Sequence, residues 1–434
     1  MRIIYTTGIC FYTLGIRVVA LFGHSKAHLM VDGWKRWPEQ VAKLSHERPT
    51  VWFHAASLGE FEQARPVLEA YRQRHPECQV LVTFFSPSGY EVRKNYPLAE
   101  AICYLPMDTP RNVRRFLDAV QPATVFFVKY EFWYNYLDGL RNRGAETYII
   151  SAIFRPEQYF FQWYGKWFLR QIGISFKHLF VQNEESLQLL RSHGVGHCSI
   201  AGDTRFDRVH QIAQAAESNE VVEAWLDGYE GKVLVGGSTW PPDEELLTQA
   251  ILPDRKGTAL STDEIKSNTA KKQTSNQAIR IILAPHVISE EHLKQIEQLF
   301  PDSIRYSQLS TQHSTLNTKK VLIIDNIGIL SKLYRYADVA YIGGGFGVGI
   351  HNILEAVTFG KPVLFGPNYH KFQEAKDIIA CGGGFTHSDS RRLAANLQPL
   401  LTDADAYRKA SHACLDYMQQ NLGSTDIILN TIES

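Results

Sequence analysis

The chain has 434 residues, enough for two or three domains that each bury a core of their own. Its 45 Lys and Arg balance its 45 Asp and Glu, so no general electrostatic attraction to nucleic acid is expected and any basic surface is local. Six scattered cysteines, with no C-x-x-C and no His cluster at ligand spacing, indicate neither zinc nor a disulfide framework and fit a reducing compartment.

Residues 3–22 are apolar apart from small polar side chains and Arg17, close to the roughly 20 residues that a membrane-spanning helix needs. Arg17 lies towards one end, where its head group could snorkel to the interface. Lys26, Lys35, Arg36 and Lys43, interleaved with Trp34 and Trp37, follow as they would where a helix leaves the bilayer on the cytoplasmic side. A membrane anchor over 1–30 is therefore expected. A cleaved leader is disfavoured by the missing A-x-A site and the unpaired cysteines; a buried first helix is the alternative.

From residue 51 onward, apolar runs alternate with helical patterns. The runs 51–56, 80–85, 101–105, 124–128, 147–150 and 178–181 read as strands of a parallel sheet covered on both faces. A polar helical stretch follows, and a linker is placed at 211–230. A second series begins at 233–235, 280–283, 321–324, 339–342 and 363–365. The expectation is an α/β chain of two doubly wound, Rossmann-like domains, 31–210 and 231–434. Residues 254–277, rich in Lys, Thr, Ser and Asn, read as an inserted surface loop.

Ligands of open parallel sheets bind beyond the carboxyl ends of the strands, so the residues just after each run are the candidates. In the first domain these are Ser57, Gly59 and Glu60, then Ser86 and Ser88, then Glu131 with Trp133 and Asn135. In the second they are Ser238 and Thr239, Pro285 and His286, Asp325 to Gly328, and the glycine run of 341–367. That run reads strand, glycine loop, helix over 351–359, strand. Gly343, Gly344, Gly345, Gly347 and Gly349 would let backbone approach an anion, with a helix N-terminus supplying N–H groups. Asn352 and Glu355 share one helix face, and Glu355 could accept hydrogen bonds from two ribose hydroxyls. The spacing matches neither a dinucleotide fingerprint nor a P-loop, and the glycines could instead serve packing alone.

Glu60, at a strand-to-helix junction, could act as a general base, or could complete a capping box begun by Ser57. Glu131 follows a strongly apolar run, so partial burial with either a functional or a structural partner is expected. Arg111 and Arg115, four apart on a helix starting near Thr109, could hold an anionic acceptor or form a solvated face.

In order, the segments HAASLGE (54–60), LPMDTPRNVRRFL (105–117), YEFWYN (130–135), GDTRFD (202–207), GGSTWPPDEE (236–245) and HNILEAVTFGKPVLFGP (351–367) closely resemble the Kdo transferases of lipopolysaccharide synthesis. These move 3-deoxy-D-manno-octulosonic acid (Kdo) from CMP-Kdo to a lipid A precursor such as lipid IVA. The resemblance implies a GT-B glycosyltransferase at the cytoplasmic face of the inner membrane, inverting, with no metal or other cofactor. It implies Glu60 as catalytic base and Glu131 as an active-site acid. It implies an acceptor bound by the N-terminal domain, where Ser57, Gly59, Ser88, Arg111 and Arg115 are the acceptor-binding candidates. It places Ser238, Thr239, Gly328, Asn352 and Glu355 around CMP, and Pro285, His286, Ile327, Gly344, Gly345 and Gly347 complete the nucleotide-binding candidates. Pro285 stands where the family usually has Arg before His, and Ile327-Gly328-Ile329 stands for its Met-Gly-Glu. A GT-B enzyme using a UDP-sugar, and an inert membrane-anchored binding protein, are the competing readings.

Overall fold

The structure, a computed structural model, describes residues 1–251, 279–309, 319–347 and 349–434. The expected loop at 254–277 lies outside the described residues. The chain divides into two units, Met1–Arg208 with Asn421–Ser434, and Val209–Gln420.

In the first unit two helices, α1 (Arg2–Leu21) and α2 (Ser25–Val41), precede the strands β1 (Thr50–Ala55), β2 (Gln79–Phe84), β3 (Ala101–Tyr104), β4 (Pro122–Val128), β5 (Glu146–Ala152), β6 (His178–Val181) and β7 (Cys198–Ile200). All pair in parallel, in the order β3-β2-β1-β4-β5-β6-β7. Every residue of β1 and β2 is buried, because alternate side chains enter separate cores on the two faces: Trp52 and Leu81 on one, Val51, Phe53 and Val82 on the other. The crossovers include α3 (Leu58–Arg74), α4 (Pro87–Arg93), α5 (Pro110–Val120), α6 (Tyr134–Asn142) and α7 (Lys166–Ser175).

The second unit repeats the plan with β8 (Lys232–Thr239), β9 (Ile279–Pro285), β10 (Ser303–Arg305), β11 (Val321–Ile323), β12 (Val339–Ile342), β13 (Val363–Phe365) and β14 (Gly384–Thr386). Their order is β10-β11-β9-β8-β12-β13-β14, again all parallel. In each sheet the first strand has its later crossovers on opposite sides, which puts one switch point between β1 and β4 and another between β8 and β12.

Two expected boundaries differ. The helix Glu220–Leu226, placed in the linker, buries Trp225 completely within the second unit, and Trp225 Nε1 donates to the Lys319 carbonyl at 3.1 Å. The last helix, Ser424–Glu433, belongs to the first unit rather than the second. Its Ile428 and Leu429 enter the core beside α3, and Asp207 accepts hydrogen bonds from Gly423 N, Thr425 N and Thr425 Oγ1 at 2.7–2.8 Å. The GDTRFD segment thus ties the C-terminal helix to the first unit. The helix expected over 351–359 contracts to Leu354–Val357.

Candidate functional site

At the first switch point the carboxylates of Glu60 and Glu131 follow β1 and β4, the two strands that flank it. Glu60 lies in the first turn of α3 and is 8% exposed. Its Oε2 accepts the Ala56 N–H at 2.6 Å, and Ser57, although it is the N-cap, makes no side-chain cap. The capping box is therefore not formed: Glu60 is held by the residue before the cap. Burial first, and the Glu131 charge second, push its pKa up; the Ala56 N–H, Lys129 and His54 pull it back.

Glu131 is held from two sides. Trp133 Nε1 donates to its Oε2 at 2.8 Å, and His54 Nε2 lies 3.4 Å from the same oxygen. His54, on β1 and fully buried, bonds through Nδ1 to Thr83 Oγ1 at 2.8 Å, and Thr83 Oγ1 accepts Trp52 Nε1–H at 2.8 Å. Trp133 Nε1 also reaches His54 Nε2 at 3.2 Å, so Trp52, Thr83, His54, Trp133 and Glu131 form one connected polar cluster in the first unit. Sequence reasoning missed His54 and Thr83. The available signal was a histidine inside an otherwise apolar, fully buried strand.

The remaining first-unit candidates are more open. Gly59 has free space where a Cβ would stand, and exposed Ser88 shares a hydrogen bond of 2.6 Å with Ser86. Arg111 and Arg115 are exposed on α5, with Arg115 5.9 Å over the Trp37 ring. Neither has an ion pair among the described residues.

At the second switch point the end of β8 meets the glycine loop after β12. Ser238 is left-handed (φ 52°), and Gly343 has no room for a side chain, since a Cβ would stand 2.2 Å from the Ser238 carbonyl oxygen. Gly345 likewise packs against the Gly366 backbone, so these two glycines serve close packing; a Cβ on Gly347 would make only an ordinary contact, 3.9 Å from the Gly344 carbonyl oxygen, and Gly328 faces open space. Asp243, missed in the sequence, fastens the loop: it accepts Gly344 N–H at 2.9 Å, Trp240 N–H at 3.0 Å and Tyr341 O–H at 2.9 Å. Burial pushes its pKa up against those donors. Thr239 Oγ1 is spent on Glu244 at 2.9 Å, and Glu244 is bound by His292 at 2.9 Å.

His286, exposed just beyond Pro285, stacks between Trp240 (4.7 Å between centroids) and His351 (4.4 Å). Trp240 Nε1 donates to His351 Nε2 at 3.3 Å. Burial, then the neighbouring His286, lowers the His351 pKa, which keeps it a neutral acceptor. Asn352 Nδ2 donates to Glu355 Oε1 at 3.1 Å, while its Oδ1 accepts Leu354 N–H at 3.2 Å. Ile327 is 90% exposed. A four-residue helix carries little dipole, so the anion site expected at the N-terminus of a longer helix over 351–359 is not formed. Among the described residues no group of three or more His, Cys, Asp or Glu is placed to hold a metal ion.

Among the described residues, three of the four non-glycine residues with positive φ, Lys129, Ser151 and Ser238, fall at the carboxyl ends of β4, β5 and β8. Strained backbone persists where surrounding structure over-determines it. The strain therefore marks the same edges as the polar residues.

Two doubly wound parallel-sheet domains with polar residues gathered at their switch points define a GT-B protein carrying a glycosyltransferase-type enzyme domain. The fold matches UDP-GlcNAc 2-epimerase from Neisseria meningitidis bound to UDP-GlcNAc, with a TM-score of 0.58 and 15% identity over 88% of this chain and 99% of that one. A UDP-N-acetylglucosamine 2-epimerase described as putative, from Listeria monocytogenes, also gives 0.58, with 12% identity over 89% and 96%. Residues 35–208 match the family model described as 3-deoxy-D-manno-octulosonic-acid transferase (kdotransferase). The chain is 24% identical to the 3-deoxy-D-manno-octulosonic acid transferase of Aquifex aeolicus (strain VF5), over 83% of this chain and 88% of that protein. It is 26% identical to that of Rickettsia felis, over 90% and 80%. The protein is thus related to the Kdo transferases.

Proposed function

We propose that this protein transfers Kdo, with inversion, from CMP-Kdo to a lipid A precursor at the cytoplasmic face of the inner membrane. The observation that carries the reading is the pair of carboxylates at the first switch point, one buried with a raised pKa and the other half-buried and held by His54 and Trp133. In this mechanism Glu60 takes the proton of an acceptor sugar hydroxyl as that oxygen bonds to the anomeric carbon of Kdo. The bond from that carbon to the phosphate oxygen breaks, and CMP leaves with the electron pair. A raised pKa makes Glu60 a stronger base. Glu131, oriented by Trp133 and His54, places a second carboxylate beside the developing positive charge on the sugar. On the second unit, Gly328 and the His286–His351 stack offer donors to the departing phosphate, and Glu355 with Asn352 faces the ribose.

The test is incubation of the purified protein in detergent with CMP-Kdo and a tetra-acylated lipid A precursor, followed by mass spectrometry of the lipid. A gain of one or more Kdo masses, lost in Glu60→Gln, is the expected result. CMP binding without a gain would reject the acceptor; preference for UDP over CMP in competition would reject the donor.

A further inference from the structure

The helix α1 is amphipathic in reverse. The residues turned to the protein, Tyr5, Ile9, Thr13, Ile16 and Ala20, recur at helical spacing and include small and polar side chains. The outer face carries Ile3, Ile4, Phe11, Leu14, Val18, Leu21 and, just past the helix, Phe22, with Ile3 81% and Phe22 87% exposed. Such a face needs an apolar cover.

The inner face is fastened along the whole helix. Arg2 pairs with Asp138 at 3.5 Å, Tyr5 O–H donates to Asp108 at 2.7 Å, and Thr6 bonds Asn135. Tyr12 stacks on Phe85 at 6.4 Å, while Thr13 and Ala20 are buried. A helix that crossed the hydrocarbon would draw Asp108, Asn135 and Asp138 in with it, and lipid provides no partners for such groups.

We infer that α1 lies flat in the surface of a phospholipid bilayer, outer face down, rather than spanning it. Two observations select lipid over a second copy of the chain. No acidic residue precedes Asp32, whereas Arg17 and Lys26 are exposed without an ion pair among the described residues, so the rim suits phosphate head groups and repels its own copy. Beyond the other end, Trp163 (82% exposed), Tyr164 and Tyr159 form an aromatic tip joined to α1 through Phe168, which lies 5.5 Å from Tyr159 and 6.0 Å from Tyr5. Trp and Tyr favour the head-group level. The flat helix also borders the carboxylates, because Tyr12, Phe85 and Trp133 form a continuous run of rings ending on Glu131. An amphiphilic acceptor can then keep its acyl chains in the bilayer beside α1 while its sugars reach the carboxylate edge. This last step rests on the proposed function; the orientation of the helix does not.

The test uses the full chain on vesicles of phosphatidylethanolamine and phosphatidylglycerol. Exposed Cys10 and Cys381 are replaced by Ser, and single cysteines at Ile4, Phe11 or Val18 carry an environment-sensitive fluorophore quenched by lipids labelled at different depths. All three sites lie on the outer face, so packing is undisturbed. Equal, shallow depth at the three is expected. Depths that pass through the midplane, or no quenching on vesicles that bind the protein, would overturn the inference. Arg17→Ala and Lys26→Ala should each weaken vesicle binding about fivefold; unchanged binding by both would overturn the lipid assignment. Kdo transfer to a detergent-dispersed acceptor does not read helix orientation, so either hypothesis can fail alone.

Discussion

Replacing Glu60 by Gln exchanges one oxygen for nitrogen in a side chain that is 8% exposed. The amide keeps an oxygen to accept the Ala56 N–H, now bonded at 2.6 Å, so α3 keeps its start. The raised pKa means that the folded protein resists ionising this group. Its stability contribution therefore falls as pH rises from the ordinary glutamate range through the raised value. Gln escapes that loss, and the variant's melting temperature should match or exceed that of the parent at neutral pH, with the gap closing in acid. Removing a general base costs about 10²–10⁴ in kcat, or about 2.7–5.4 kcal/mol of transition-state stabilisation. Steady-state transfer assays with melting curves on the same preparations separate the two effects. Near-parental turnover, or lost turnover explained by lost folding, would refute the reasoning.

In Glu131→Gln the second cause of the raised Glu60 pKa disappears, so the acidic limb of the pH–kcat/KM profile should move to lower pH and the plateau rate should fall; an unmoved limb would uncouple the pair. Asp243→Ala leaves the Gly344, Trp240 and Tyr341 donors without their shared acceptor. CMP affinity should drop at least tenfold by calorimetry while circular dichroism stays native, as each orphaned buried donor costs about 1–3 kcal/mol. Asp108 accepts from Tyr5 O–H, Asn135 N and Tyr136 N at 2.7–3.0 Å, and burial raises its pKa to about 6. Asp108→Ala should loosen the docking of α1, read as faster proteolysis near residues 1–22; an unchanged cleavage pattern would argue against this anchor.

The long strands were legible because burial on both faces makes them continuous apolar runs, as in β1 and β2. β7, β10 and β14 were not. Each is three residues long and stands at an edge of its sheet, where one side lacks a neighbour and Ser, Arg or Thr is tolerated. The helix expected at 351–359 failed for a local reason: Gly349 is at φ 125°, and Asn352 bonds Leu354 N–H, so helical backbone begins only after that turn.

The catalytic candidates were legible for a topological reason and their supports were not. A position just after an apolar run can be read from sequence, and Glu60 and Glu131 occupy such positions after strands that the sheet order later shows to be neighbours. His54 and Thr83 lie inside strands, where a histidine looks like any core residue until its partner on the adjacent strand is known. The register pairs His54 with Thr83 directly. That pairing converts two core positions into a hydrogen-bonded chain from Trp52 to Glu131. Asp243 repeats the pattern in the second unit, reaching Gly344 101 residues away. In both sheets, residues at strand ends could be nominated from the sequence, whereas those that hold them depend on which strands lie side by side.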